Sequence, residues 1–151
     1  MQALNLPVIE AKTRAQNGRT EIFDPIRKKY VTLTPEEWVR QHFIQYLIHE
    51  KEVPASLIHV EASLKYNRLA KRSDLVIYTK TGTPCLVVEC KAPEVKITQE
   101  VFDQVAIYNM TLKVDYLVVT NGLNHYACFI DHAKGTYIFL TEIPAYPDFA
   151  G

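Results

Sequence analysis

Apolar residues recur at helical spacing in the second quarter of the chain, where Val39, Phe43, Tyr46 and Leu47 mark one stripe and Trp38 and Ile44 widen it. The helix they predict opens at Pro35 behind Thr34, a good N-cap, and runs to about Glu50. Glu36 and Glu37 fall in its first turn, where carboxylates suit the helix dipole. After Pro54 the pattern changes to short apolar runs bounded by turn residues. These predict strands over Ile58–Lys65, Asp74–Tyr78 and Cys85–Lys91, a helix from about Thr98 to Leu112, and strands over Asp115–Thr120, Leu123–Asp131 and Thr136–Thr141. The order implies a mixed α/β sandwich, a central β-sheet flanked by helices in αβββαβ order with extra C-terminal strands. Residues 1–21 are polar and unpatterned and read as a loose N-terminal arm, leaving 22–151 as one domain. Ile22 to Leu33 holds a turn at Asp24-Pro25 and the basic run Arg27-Lys28-Lys29, and the end of the chain, with Pro144 and Pro147, reads as a tail.

Composition narrows the class. The chain has 151 residues, enough for one ordinary domain with a core, and its 48% hydrophobic content is that of a globular protein. No apolar run approaches the roughly 18 residues of a membrane span, and no signal peptide is visible. Three cysteines without metal-ligand spacing argue against a disulfide framework and for a reducing, cytoplasmic setting. Five histidines show no zinc spacing. Seventeen basic and seventeen acidic residues cancel, so any nucleic-acid contact must rest on a local patch.

One stretch changes that picture. The strands at Asp74–Tyr78 and Cys85–Lys91 flank the turn Lys80-Thr-Gly82-Thr-Pro84, and a fold-back about it places Asp74 opposite residues 89 to 91. Glu89 and Lys91 share a strand face with Val87. Asp74 joins them only in a register that pairs it with Glu89 or Lys91, which requires an even loop or a bulge. Two acids and a lysine at one sheet edge suit metal-dependent phosphodiester hydrolysis. Asp74, Glu89 and the backbone carbonyl of Cys90 are candidate Mg²⁺ ligands, with Mn²⁺ as a substitute, and Lys91 is placed to orient a water or stabilise phosphate charge. The plainer alternative is a solvated strand face with a weak Glu89–Lys91 pair, although charge in so apolar a strand calls for a partner or a function.

The set Asp74, then Glu89-x-Lys91, resembles the motif of the PD-(D/E)xK restriction-endonuclease-like superfamily, with Ser73 where the name has Pro. A narrower resemblance is to the N-terminal nuclease domain of the type I restriction enzyme R subunit. Thr34–Gln41, Lys71–Val76, Val87–Pro93, Gln104-x-x-x-Tyr108-Asn109 and Val119-Thr120-Asn121-Gly122 are similar to that domain in order, over about residues 22 to 130. The resemblance implies a restriction-endonuclease-like core, a Mg²⁺-dependent DNA endonuclease, metal ligands at Asp74 and Glu89, and a catalytic lysine at Lys91. Gln104 and Tyr108, four apart on one helix face, would contact DNA or the site lysine, or else be an exposed glutamine and a core aromatic. The first helix of such nucleases often contributes an acid, and helical phase favours Glu36 over Glu37, while both also serve as ordinary first-turn acids.

Arg40, one turn from Glu36, is placed to pair with it or to reach phosphate; Arg72 is a phosphate contact or a salt-bridge partner. Lys65, Arg68, Lys71 and Arg72 precede the first catalytic strand and Lys96 follows the second, a loop that either tracks a DNA backbone or is merely solvated. No phosphate-binding Gly-Lys-Ser/Thr loop is present, so this stretch is not expected to translocate DNA alone and reads as a free-standing nuclease, a component of a larger defence or repair assembly, or an excised module. The partners expected are DNA, subunits of a restriction or repair complex, and a second copy, because cutting both strands commonly needs two sites. RNA is a weaker alternative substrate, and a non-catalytic nucleic-acid-binding or assembly module is the alternative function.

Overall fold

The computed structural model describes residues 1–66 and 69–150, with side chains described outside 62–72. Two sheets are present. A small antiparallel sheet is formed by β1 (Thr13–Gln16), β2 (Arg19–Asp24) and β3 (Lys29–Thr32), in that order. The large sheet contains β4 (Ile58–Tyr66), β5 (Leu69–Tyr78), β6 (Pro84–Cys90), β7 (Tyr116–Thr120), β8 (His125–Asp131) and β9 (Thr136–Leu140), again in sequence order. Its neighbours are antiparallel except β6 and β7, which run parallel. Parallel strands cannot be joined by a hairpin, so α2 (Gln99–Met110) crosses between them. With α1 (Pro35–Glu50) ahead of β4, the αβββαβ order and its two extra strands are those expected of a restriction-endonuclease-like core.

The helices divide the core by strand alternation. Val39, Phe43 and Leu47 of α1 pack with Leu75, Ile77, Leu86, Val88, Cys90 and Val118 on one face. Phe102 and Ala106 of α2 pack with Val76, Val87, Leu117 and Val119 on the other. Thr34 caps α1 by accepting the Glu37 N–H at 3.0 Å, and Thr98 caps α2 by accepting that of Val101 at 3.2 Å. No described helix is long and apolar enough to cross a membrane.

Both ends of the chain depart from expectation. The stretch 1–21 is not a loose arm: it carries β1 and the first half of β2. Further upstream, the Asn5 N–H donates to Gly122 O at 2.8 Å, Trp38 Nε1 donates to Gln2 O at 2.7 Å, and Leu4 and Leu6 pack on the α1-side core. Gly122 makes room for this strap; at φ +85° a Cβ there would stand 2.8 Å from Leu4 Cδ2. The C-terminal tail is likewise anchored, because α3 (Tyr146–Ala150) sets Phe149 and Tyr146 against the same core.

Candidate active site

The β5–β6 register runs up to the candidate residues. Leu75 pairs with Val88, Val76 with Val87 and Ile77 with Leu86, and a bulge follows between Ile77 and Tyr78. The ladder ends at Leu75–Val88; counting one step further brings Asp74 level with Glu89, and the Asp74 side chain turns to Arg40 of α1 and to the β6 backbone. The Asp74 carboxylate closes the end of the ladder itself, its Oδ2 accepting the Cys90 N–H at 2.7 Å. Just past the end of β6, the Lys91 N–H donates to Thr120 O of β7 at 2.8 Å. Cys90 faces the α1-side core, so Glu89 and Lys91 alternate to the opposite face, that of Val87.

A buried guanidinium organises the acids around Asp74. Arg40 of α1 is 5% exposed. Its Nη1 lies 3.0 Å from Glu37 Oε1 and 3.2 Å from Glu61 Oε1, and its Nη2 lies 3.3 Å from Asp74 Oδ1 and 3.6 Å from Glu36 Oε1. Burial works against the Arg40 charge, but the negative charges of Glu37 and Asp74 outweigh it and hold the guanidinium above its ordinary pKa. Glu37 is shared with Arg27 at 2.8 Å, and Arg27 is held in turn by Asp24 at 2.5 Å. Gln41 donates to the second Glu37 oxygen at 3.0 Å. The small sheet is thereby tied to Asp74 through alternating charges.

The first-helix acids exchange the places that helical phase gave them. Glu37 is the buried one, and the Glu36 side chain is 47% exposed. Phase reports which side of a helix is apolar; it does not report that Arg27 of the small sheet covers the Glu37 side. Glu36 still belongs to the site's electrostatics. Partial burial and the Asp74 charge raise its carboxyl pKa, while Arg40 and Lys91 pull it back.

Glu61 escaped the sequence reading. It stands opposite Asp74 on β4, between the pairs Val60–Leu75 and Ala62–Ser73, at φ +52°. A carboxylate set between the apolar Val60 and Ala62 was the available signal. Gln104 and Tyr108 share the exposed face of α2, Tyr108 being 54% exposed, so the core-aromatic alternative does not hold. Arg68 and the side chains of Lys65, Lys71 and Arg72 lie outside the described residues. Thr120 and Asn121 prove to be buried connectors. Asn121 Nδ2 donates to Val95 O at 2.8 Å and its Oδ1 accepts the N–H groups of Leu123 and Asn124, which fixes the loop after Lys91 against the β7–β8 turn.

The donors suit a hard cation. Asp74 and Glu89 offer carboxylate oxygen from adjacent strands, the arrangement in which Mg²⁺ is commonly held by one or two carboxylates with water filling its other positions. Among the described residues no three His, Cys, Asp or Glu side chains form a ready-made metal cluster, so water and backbone oxygen would complete the set.

Comparison with known proteins bears on this arrangement. The family model described as the type I restriction enzyme R protein N terminus matches residues 35–144. Among solved structures, a fragment described as an HsdR subunit of a type I restriction enzyme from Vibrio vulnificus YJ016 shares the fold with a TM-score of 0.53 and 22% identity. The match covers 78% of this chain and 24% of that one, so the chain spans about a quarter of that structure's length. No curated protein matches the chain.

Proposed function

Because the chain belongs to the family of type I restriction enzyme R protein N termini, we propose that it is a metal-dependent DNA endonuclease module acting at the Asp74–Glu89–Lys91 end of the large sheet. The observation that carries this reading is that Asp74 accepts the Cys90 N–H at 2.7 Å, which joins its carboxylate to the β6 backbone between Glu89 and Lys91. A phosphodiester repels hydroxide, so its hydrolysis needs charge neutralised and a nucleophile supplied. Asp74, Glu89 and the Cys90 carbonyl would hold Mg²⁺ or Mn²⁺, which when bound would supply a water of lowered pKa.

The chain's own groups do the rest. Lys91 donates hydrogen bonds to a non-bridging phosphate oxygen or to the attacking water. Glu36, whose raised pKa brings it nearer to a useful base, receives a proton at the open side of the site. Arg40 fixes Asp74 Oδ1 and balances the neighbouring acids. Gln104 and Tyr108, exposed on α2, together with Arg68, Lys71 and Arg72, serve as DNA contacts. The module works in a reducing compartment, where its three buried cysteines stay thiols, and within a restriction assembly or as two copies when both strands are cut.

One observation favours a second reading. Both Asp74 oxygens are engaged, one by Arg40 and one by the Cys90 N–H, as in a site that binds without cutting. Cleavage of supercoiled plasmid in Mg²⁺ or Mn²⁺, with EDTA and Lys91→Ala as controls, separates the two. Nicking that needs metal and disappears in the variant is the expected result. Protein that binds DNA and leaves the plasmid intact in both metals would establish the non-catalytic module.

A further inference from the structure

The small sheet has two unlike faces. Ile22 and Asp24 point inward and are buried, Asp24 being locked to Arg27 and through it to Glu37 of α1. The register pairs Arg14 with Glu21, Glu21 with Thr32, and Phe23 with Tyr30, so strand alternation puts Arg14, Arg19, Glu21, Phe23 and Tyr30 together on the outward face. Lys12 joins them, its Nζ 5.8 Å from the centre of the Phe23 ring. The Arg14 guanidinium lies 4.0 Å from the centre of the Tyr30 ring, and Phe23 meets Tyr30 edge-on at 5.3 Å.

Lys12, Arg14 and Arg19 are all exposed, as are Lys28 and Lys29 at the β2–β3 turn. Glu21 is the one acid on this face, and Arg14 holds it at 2.8 Å. Residues 11–32 carry six basic and two acidic side chains, whereas the whole chain balances at zero. Three of those cations, Lys12, Arg14 and Arg19, stand on the outward face beside Glu21. Aromatic rings beneath two of the cations restrict their motion and lower the cost of fixing them against an anion.

We propose that this outward face docks the phosphate backbone of duplex DNA and leads it to the candidate active site. The inference rests on the nuclease reading and says where on the molecule the substrate is held. The argument for DNA is complementary charge together with position. Thr32, on the outward face opposite Glu21, also lines a groove of about 570 Å³ whose walls include Arg27, Arg40 and the acids Glu36, Glu37, Glu61 and Glu94, so the face borders the groove of the site and its cations lie at the edge of those acids. Such contacts position a duplex without reading its sequence.

The test uses the full chain, a labelled mixed-sequence duplex, and fluorescence anisotropy in EDTA between about 50 and 200 mM salt. Lys12→Gln, Arg14→Gln and Arg19→Gln combined should weaken binding at least ~10-fold at the low end and flatten the log–log salt dependence by about 2 to 3, as expected for three lost phosphate contacts. Glu21→Gln, which removes the one opposing charge, should tighten binding several-fold. An unchanged affinity and slope in the triple variant, with Glu21→Gln also neutral, would overturn the proposal. So would preferential binding of a single-stranded RNA of equal length through the same residues. The two readings fail separately: a chain that never nicks plasmid yet loses duplex affinity in the triple variant loses its nuclease assignment and keeps this surface.

Discussion

Removing the Arg40 guanidinium would leave Glu37, Glu61 and Asp74 without the cation that touches all three. Stripping one partner from a buried ion pair typically costs about 3–5 kcal/mol, so Arg40→Ala should lower the urea midpoint by a corresponding amount. Arg40→Lys should recover only part of that, because an ammonium cannot span two pairs of carboxylates as the planar fork does. Two histidines set the pH response. Burial holds His42 and His125 below the ordinary imidazole value of 6.5, with the Trp38 and Asn5 carbonyls pulling partly back. The unfolded chain therefore takes up protons near that value while the folded chain resists them. Stability should be full above it and fall as pH drops through it towards the lower folded values. The urea midpoint should be lower at about pH 5.5 than at about pH 7.5, and His125→Gln should narrow the gap. At this scale the sequence was informative where two residues are tied by counting from a turn. Asp74 was brought to residues 89–91 that way, and it accepts the Cys90 N–H. Glu37 could not be placed so, because the residues that bury it lie on another sheet.

The same contrast holds for whole elements. α1, α2 and the six large-sheet strands were legible because a long amphipathic period or an apolar run announces each, and most of their ends fall close to where caps and turn residues put them; β5 begins at Leu69, five residues ahead of the expected Asp74, because the polar stretch before it pairs with β4. The small sheet was missed although it opens with Asn17-Gly18, both at positive φ, the strongest short hairpin signal known. Its flanking residues are polar, and the hydrophobic pattern that reveals other strands is absent from a sheet that buries so little. α3 was missed for a related reason: five residues are too few for a period. The N-terminal strap gives a prediction of its own. Gly122→Ala would force a Cβ against Leu4 and Val39 at a left-handed φ, and should cost about 1–3 kcal/mol in thermal unfolding. Truncating Leu4 to Ala in the same chain should recover the steric part and leave the backbone part.

For the molecule as a whole, a cation that binds only the folded chain must stabilise it. Mg²⁺ at about a hundred times its dissociation constant adds some 2.7 kcal/mol, and EDTA should reverse the rise in Tm. Asp74→Asn should abolish the metal-dependent increment, which is readable by thermal denaturation without any nucleic acid. The family and the fold class were within reach of the sequence because the motifs follow one another in the right order. The charged face of the small sheet was not, since a net charge of zero conceals where the charges gather.

The single parallel pairing in the large sheet has a kinetic consequence. β4–β6 and β7–β9 are each meanders that form from neighbours in the chain, but β6 finds β7 only across a thirty-residue separation, after α2 has folded over it. Asp74, Glu89 and Lys91 all belong to the first block, whereas the carbonyl that receives the Lys91 N–H arrives with the second. A chain emerging from the ribosome thus carries Asp74, Glu89 and Lys91 before β7 has been made, and on the proposed reading a fragment that ends ahead of β7 should neither bind the cation nor nick plasmid.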